Sequence, residues 1–399
     1  MKTVHKCKMA LAAMVVAFLL VNNVSARGRF WEAYFGTSGF DAAYAVETHW
    51  SGKVYIAGVV QKGPIGGYDA FVACYDLRGN LLWDAYWGTK GYDAAYALDV
   101  DWLGNVYIAG RTGPGPFGGD DAFVAAFNRS GGLRWEALWG TAEYERAHGI
   151  AVDLIGRVYV VGSIGRNPGP FDAFVAAFNR SGGLRWEDFY GTPKGYEYGY
   201  AVDVDWLGNV YVAGRTGQGE VFGQPFDAFV LSYDSSGAVR WESLWGRQIC
   251  DWARGIVVDL CGNVYITGPT WTALTQRPEV FVVSFNASGG FRWEVLWGAL
   301  ATYEYGCDID MGLDSDGNLY VAGYMRSGPF GNDDAVILSV DSSGDFRWEA
   351  YWGTENDDQA LGVSVDLLGN VYIAGYTSPG PFGSFDAFLA APRVPRGPK

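Results

Sequence analysis

The sequence predicts an all-β fold, a seven-bladed β-propeller made of four-stranded antiparallel blades. One phrase recurs along the chain: an aromatic residue, an acid, two variable residues, a second aromatic residue and a glycine. Its copies begin at Trp31, Trp83, Trp135, Trp186, Trp241, Trp293 and Trp348. Strand-like segments lie between the copies, and a period of about 50 residues with this content is typical of one propeller blade per repeat. The first and last copies are incomplete, which indicates how the ring closes.

The second repeat shows how each blade is predicted to form. Its strands are predicted, from the innermost to the outermost, at Ala95–Val100, Val106–Gly110, Ala122–Phe127 and Leu133–Trp139. Turn sequences and one loop rich in glycine and proline separate them, so the four strands make an antiparallel meander. Small residues alternate along the inner strand, as at Ala95 and Ala97, because blades crowd together near the axis. On the outer strand the alternation buries Trp135 and exposes Arg134 and Glu136.

The two ends of the chain are predicted to complete one blade between them. The first predicted strand, Phe30 to Phe35, has the pattern of an outer strand, and the last, Ala387 to Ala390, that of a third strand. Pairing the N-terminal strand in the last blade closes the ring. We therefore expect a propeller over residues 27–391 and a flexible tail over residues 392–399.

The first 26 residues have the pattern of a secretory signal peptide. Lys2, Lys6 and Lys8 precede a short apolar run, and Val24 to Ala26 is a small-residue cleavage site. We therefore expect a secreted or cell-surface protein with no membrane span. The formal net charge of −15 disfavours nucleic acid as a partner.

The repeat resembles the SBBP family of β-propeller repeats, found in secreted and surface proteins of bacteria and archaea. The resemblance is carried by Gly208-Asn209-Val210-Tyr211-Val212-Ala213-Gly214, by Asp227-Ala228-Phe229-Val230 and by Trp241. It extends over essentially all of residues 29 to 391. It implies an extracellular module for structure or for binding a protein or glycan, and no particular reaction, because propellers host many functions.

Two columns of acids recur at the loops that enter the inner and third strands, and both are expected on one face of the ring. The first column is Asp41, Asp93, Glu145, Glu197, Asp251 and Asp358, with Gly306 as the exception. The second column is Asp69, Asp121, Asp172, Asp227, Glu279, Asp334 and Asp386. The first column is a candidate cation site at the axial pore. No cofactor is predicted to be required, and Ca²⁺ is the cation that such carboxylates would suit. The alternative is that acids repeated in every blade cap loop N–H groups.

The fifth and sixth repeats depart most from the pattern, and a single ligand site is rarely sevenfold. Trp252, Arg254, Trp271 and Arg277 form a candidate aromatic and basic cleft for a sugar or peptide. Asp308 and Asp310, on the next inner strand, are included in this candidate site. The alternative is that this repeat has drifted without a selected ligand.

Two further motifs have a structural alternative. The spacing of Asp99, Asp101, Gly104 and Asn105, repeated from Asp203, resembles part of a calcium loop, but a hairpin turn explains it equally well. N-glycosylation sequons begin at Asn128, Asn179 and Asn286, where asparagine also suits the turn.

The sequence shows no catalytic constellation. It contains three histidines and no nucleophile elbow, H-E-x-x-H motif or P-loop. It therefore predicts a non-catalytic extracellular or cell-surface module for structure or interaction, with self-association among the roles open to it. Two alternatives stay open. One is a carbohydrate-active enzyme, a glycosidase or lyase, using carboxylates near the axial pore. The other is a calcium-dependent lectin.

Overall fold

The structure, a computed structural model, describes residues 30–165, 169–217, 226–247, 249–271, 277–298, 303–312 and 317–395. Every regular element in these ranges is a β-strand. The predicted signal peptide and residues 396–399 of the predicted tail lie outside the described residues. The prediction of an all-β chain is confirmed for the part that the structure describes.

The described strands form four-stranded antiparallel meanders, here called units 1 to 7. Unit 1 contains β2 (Asp41–His49), β3 (Lys53–Gln61), β4 (Tyr68–Asp76) and β5 (Leu81–Trp87). Unit 2 contains β6 (Tyr92–Val100), β7 (Val106–Gly113), β8 (Asp121–Phe127) and β9 (Leu133–Trp139). Unit 3 contains β10 (Tyr144–Val152), β11 (Val158–Gly165), β12 (Phe171–Phe178) and β13 (Leu184–Tyr190). Unit 4 contains β14 (Tyr198–Val204), β15 (Val210–Gly217), β16 (Phe226–Tyr233) and β17 (Val239–Trp245).

The remaining units include one broken strand and one shared between the chain ends. Unit 5 contains β18 (Cys250–Asp251) and β19 (Gly255–Val258), followed by β20 (Val264–Trp271), β21 (Pro278–Phe285) and β22 (Phe291–Trp297). Unit 6 contains β23 (Glu304–Met311), β24 (Leu319–Arg326), β25 (Asp333–Val340) and β26 (Phe346–Trp352). Unit 7 contains β27 (Asp357–Val365), β28 (Val371–Ser378) and β29 (Asp386–Ala391), and β1 (Trp31–Phe35) is its outer strand. β1 and β29 are antiparallel, with Trp31 opposite Ala391 and Phe35 opposite Ala387.

Each unit packs its sheet face against the next unit. Tyr55 and Val72 of unit 1, for example, lie in one buried cluster with Leu98 and Phe123 of unit 2. Unit 7 packs against unit 1 in the same way, because Tyr372 and Leu389 share a cluster with Ile56 and Phe71. Tryptophans also join outer strands: the Trp87 indole N–H donates to Glu136 Oε2 at 2.7 Å. Apolar burial between units is therefore the main stabilising contact of the fold.

A β-bulge interrupts the inner strand and directs one side chain toward the axis. In unit 2 the register shifts between Ala95 and Ala97, so Tyr96 leaves the ladder. The residues at this position are Tyr44, Tyr96, His148, Tyr200, Arg254, Cys307 and Leu361, and all line one cavity. Opposite the bulge stands a glycine, Gly110, because a Cβ there would overlap the carbonyl oxygen of Ala94.

Candidate functional site

The inner strands of all seven units line one axial channel with a volume of about 700 Å³. Side chains of opposite charge occupy its two ends. Arg146 and Arg254 line the end where the inner strands begin, here called the arginine end. Glu47, Asp99, Asp203 and Asp310 line the other, here called the acidic end. A ligand in the channel would therefore be oriented by its own charge.

Four arginines lie at or beside the arginine end, and a single aspartate, Asp120, contacts two of them. Arg146 binds Asp120 at 2.8 Å, and Arg111 forms an ion pair with the same carboxylate. Arg215 and Arg254 have no acidic partner among the described residues. This end therefore has an excess of positive charge in a chain of net charge −15.

Arg215 and Arg254 lie against the same aromatic rings. The Arg215 guanidinium carbon is 4.6 Å from the ring centre of Trp252, and that of Arg254 is 5.6 Å from the same ring. Tyr200 is within 6.0 Å of both. In the described part of the chain, Arg215 Nε and the Trp252 indole nitrogen are buried and find no acceptor. Cation–π contacts hold both guanidinium groups while leaving donors unpaired.

The pKa of His148 reports the positive field at this end. Burial, together with the charges of Arg146, Arg254, Arg215 and Arg111, lowers the pKa of His148 to about 3. The imidazole lies between the rings of Tyr96 and Tyr200, at 6.0 and 5.7 Å. It is therefore neutral at physiological pH and does not add to the charge of the arginines.

The candidate cleft from the fifth and sixth repeats is partly brought together. The Trp252 and Trp271 rings are 5.0 Å apart, and Trp271 lies 6.1 Å from Tyr305. Arg254 reaches Trp252, whereas Arg277 stacks on Tyr303 at 5.0 Å. Asp310 lies at the opposite, acidic end of the same channel, and Asp308 lies two residues before it, directly after the bulge residue Cys307. The structure thus separates Asp310 from the aromatic and basic residues of this candidate site.

Carboxylates at the acidic end tie neighbouring inner strands together. Asp203 accepts hydrogen bonds from the N–H groups of Val204 and of Val258 in unit 5, both at 2.7 Å. Asp99, Asp308 and Asp310 make the same pair of bonds, to their own next residue and to the following unit. Burial raises the pKa of Asp203, Asp99 and Asp308 to about 7.

Sequence reasoning did not place Glu47, Asp99 and Asp203 in the channel. Asp99 and Asp203 were seen only as part of a turn motif, and Glu47 had no assignment. Asp310, predicted as part of the cleft of the fifth and sixth repeats, faces Tyr320 just as Asp99 faces Tyr107. The sequence does contain a signal for these channel acids. Glu47, Asp99, Asp203 and Asp310 share one repeat position, two residues before the turn that follows the inner strand.

The first acidic column is buried between units and is not among the residues that line the channel. Asp41, Asp93, Glu145, Glu197, Asp251 and Asp358 are all at most 1% exposed. Most of them accept hydrogen bonds from the threonine that follows the outer strand; the Thr89 N–H lies 2.6 Å from Asp93, for example. Gly306 is not the exception in this column. Glu304 occupies the position, because it faces Met325 as Glu145 faces Ile164.

The second column and the hairpin acids hold loops. Asp69 accepts the Ile65 N–H at 2.7 Å, and Asp121 accepts the Phe117 N–H at 2.8 Å. Asp101 accepts the N–H groups of Leu103 and Asn105 at 3.0 and 2.9 Å, which supports the hairpin interpretation of that motif.

The three sequon asparagines perform the same local task. Asn128 accepts the Ser130 N–H at 2.8 Å, and Asn179 and Asn286 each accept the equivalent bond at 2.9 Å. Asn128 and Asn179 are exposed, and Asn286 is half-buried. Asparagine therefore has a structural reason to occupy this turn, whether or not it is modified.

Within the described ranges, no group of three or more histidine, cysteine, aspartate or glutamate side chains is arranged to hold a metal ion. The same part of the chain has no helix long and apolar enough to cross a membrane.

Comparison with known sequences supports the family resemblance. Residues 348–383 match the model of the SBBP beta-propeller repeat, which confirms the resemblance of this repeat to that family. An alignment over 107 residues, which covers 24% of the chain, is 35% identical to the Regulatory protein FlaEY of Caulobacter vibrioides. That match spans only 11% of the length of FlaEY.

Solved structures show the same fold at low sequence identity. A PL25 polysaccharide lyase, an ulvan lyase, has a TM-score of 0.54 at 12% identity, covering 92% of this chain and 98% of its own. Sqt1 of Chaetomium thermophilum, bound to the N-terminus of ribosomal protein L10, has a TM-score of 0.50 at 12% identity, covering 90% and 98%. The β-propeller domain of the Trilobed protease from Pyrococcus furiosus has a TM-score of 0.50 at 10% identity, covering 89% and 94%. These likenesses show the propeller fold alone.

Proposed function

We propose that this chain is a secreted or cell-surface, non-catalytic β-propeller that binds an acidic glycan at the arginine end of its axial channel. The observation that carries the proposal is the pair Arg215 and Arg254, which share Trp252 and have no acidic partner among the described residues. The extracellular location rests on the predicted signal peptide over residues 1–26.

We also propose that the seven units are the blades of one ring closed by the N-terminal strand. Three observations support this architecture. β1 completes the sheet of unit 7, unit 7 packs against unit 1, and the inner strands of all seven units line one channel. A closed ring holds the arginine end rigid.

The chemistry of the arginine end favours an acidic sugar over a neutral one. A guanidinium group offers paired N–H donors that match the two oxygens of a carboxylate or sulfate. The faces of Trp252 and Tyr200 offer flat apolar surfaces for a pyranose ring. Carboxylates at the acidic end repel a second anionic group, so the anion of the ligand belongs at the arginines.

The enzyme alternative has one observation in its favour. Asp99, Asp203 and Asp308 face the channel with pKa values raised to about 7, which is the range of a general acid. Against it, both oxygens of each carboxylate already accept backbone N–H groups. Binding without turnover is therefore the better-supported function.

Binding of labelled protein (residues 27–399) to arrayed acidic and neutral polysaccharides tests the proposal. We expect binding to polyuronates, reduced at least about tenfold by Trp252→Ala or Arg254→Gln. Trp102→Ala is the matched control, because Trp102 is 58% exposed on a turn at the other end of the inner strands. Equal loss in the control, or unchanged binding in both site variants, would refute the proposed site. Shortened glycan after incubation would instead favour the enzyme.

A further inference from the structure

The two acidic columns meet in pairs at the junctions between units. The second-column acid of one unit lies beside the first-column acid of the next, and both are buried. Three consecutive junctions have aspartate on both sides: Asp334 with Asp358, Asp386 with Asp41, and Asp69 with Asp93. All six of these side chains are 0% exposed. Burial, and then the charge of Asp93, raises the pKa of Asp69, and Asp334 responds in the same way to burial and to Asp358.

A glycine lies directly against the two carboxylates of each pair, which leaves no room for a side chain there. A Cβ added to Gly88 would lie 2.9 Å from Asp69 Oδ1 and 3.0 Å from Asp93 Oδ2. At Gly36 the corresponding distances are 2.7 Å to Asp41 Oδ2 and 2.9 Å to Asp386 Oδ1. At Gly353 the corresponding atoms are Asp334 Oδ1 and Asp358 Oδ2. Each glycine follows the last aromatic residue of an outer strand, so one geometry recurs at three places.

Among the described residues, one second-column carboxylate oxygen at each of these three junctions lacks a hydrogen-bond partner. In the described part of the chain, Asp69 Oδ1, Asp334 Oδ1 and Asp386 Oδ1 are buried and accept no hydrogen bond. Their Oδ2 atoms are occupied; Asp69 Oδ2 accepts from Ile65 and Asp334 Oδ2 from Phe330, both at 2.7 Å. A fully buried carboxylate oxygen without a donor is costly unless a proton, a water or an ion satisfies it. At Gly88, Gly36 and Gly353 the orphan oxygen lies near an oxygen of the partner carboxylate.

A divalent cation would balance the two negative charges at each junction. Two buried carboxylates without a counter-charge are costly, and the described residues place no lysine or arginine in an ion pair with these six aspartates. One divalent ion balances two carboxylates. Ca²⁺ accepts oxygen ligands in flexible geometry, whereas Mg²⁺ demands near-ideal octahedral coordination and retains several waters.

We propose that Ca²⁺ binds at these three junctions, between units 6 and 7, 7 and 1, and 1 and 2, bridging the paired aspartates across each boundary. The ion joins units that are otherwise held by apolar packing and by the strand shared between the chain ends. These positions are distinct from the axial channel, so the proposal is independent of any glycan ligand.

The other junctions differ in ways that remove the site. Units 3 and 4 carry Glu145 and Glu197 in the first column, so these junctions have no aspartate pair, and the longer Glu197 side chain accepts a hydrogen bond from the Thr216 hydroxyl. In unit 5, Asp251 accepts a hydrogen bond from the buried Thr270 hydroxyl. A stoichiometry of three ions, rather than seven, is therefore the expected value.

Terbium luminescence gives a readout local to the junctions. Trp87 and Trp352 directly precede Gly88 and Gly353, so indole excitation should sensitise bound Tb³⁺, and Ca²⁺ should displace it. We expect up to three ions per chain after treatment of residues 27–399 with EDTA. Added Ca²⁺ at 5 mM should raise the melting temperature by about 5 °C or more.

Variants separate a junction site from nonspecific binding. Asp69→Asn and Asp334→Asn should each lower the ion count by one and reduce the calcium-dependent shift. Asp172→Asn, a second-column acid facing Glu197, is the matched control and should leave the count unchanged. Because an aspartate variant can fail to fold, measurements on the wild-type protein also test the proposal. Absence of both terbium luminescence and a calcium-dependent shift would overturn the proposal. So would stabilisation on acidification from pH 7 to 5 without Ca²⁺ that is lost in Asp69→Asn, because it would indicate a shared proton at the junction instead.

Discussion

Replacing Asp203 with serine should reduce the pH dependence of stability. Asp203 is held at the acidic end of the channel by the N–H groups of Val204 and Val258. Burial, with the charges of Asp310 and Asp205, raises its pKa from 3.8 to about 7. An acid with a raised pKa stabilises the fold fully below its unfolded pKa and loses that stabilisation as the pH rises through its folded pKa. Serine already occupies the same position in unit 7, at Ser364.

The size of the effect follows from the shift. Between pH 5 and pH 7.5, a change from 3.8 to about 7 corresponds to a loss of about 2.5 kcal/mol in the free energy of unfolding. The variant does not show this pH-dependent loss. It also lacks the two hydrogen bonds of the carboxylate, and their absence lowers its free energy of unfolding by about 1–3 kcal/mol at every pH. We therefore expect the variant to be less stable than wild type at pH 5, with a deficit that shrinks or reverses at pH 7.5.

Urea unfolding at both pH values, followed by tryptophan fluorescence, measures this difference. Ala151→Ser places the same side chain at the equivalent position of unit 3 without removing a carboxylate, and it should leave the pH dependence as in wild type. The reasoning is refuted if the difference in the free energy of unfolding between wild type and Asp203→Ser is the same at pH 5 and pH 7.5. A parallel offset of that kind would mean that Asp203 contributes only its hydrogen bonds.

Two other predictions concern the channel and the chain ends. His148, whose pKa is lowered to about 3, should cost about 2 kcal/mol of stability between pH 6.5 and 4.5, because only the unfolded imidazole gains a proton. Tyrosine occupies this position in units 1, 2 and 4, so His148→Tyr should abolish this acid sensitivity in urea unfolding. An unchanged slope of the free energy of unfolding against pH would contradict the lowered pKa of His148. Deleting residues 27–35 should expose the edge of β29 and cause association in light scattering, whereas a stable monomer would count against ring closure by β1.

The strands were predictable because their signals are local. Alternating residues and turn sequences indicated four strands in the second repeat, and the structure has them with ends that differ by at most three residues. The bulge at Tyr96 was not predicted, since nothing in the alternation of Ala95, Tyr96 and Ala97 indicates that one residue leaves the ladder. That bulge decides which side chains face the channel.

The candidate site was predictable only in part, because some of its contacts join residues of different units. Trp252, Trp271 and Arg254 were recognised as departures from the repeat. Their two indole rings and the guanidinium group do come together. Arg215 was missed because it lies one unit earlier and looks like the ordinary residue after the second strand, as does Arg111. Only the packing of unit 4 on unit 5 shows that Arg215 shares Trp252 with Arg254.

The sequence by itself determined the period, the strand order within a unit and the acids and glycines that recur in each repeat. These are properties of neighbouring residues, set by side-chain alternation and turn geometry. Tertiary structure alone decided that Asp69 meets Asp93 across Gly88, and that Glu47 and Asp203 share a channel. Those contacts join different units, and their distances depend on how the sheets pack around the axis, which no local pattern encodes.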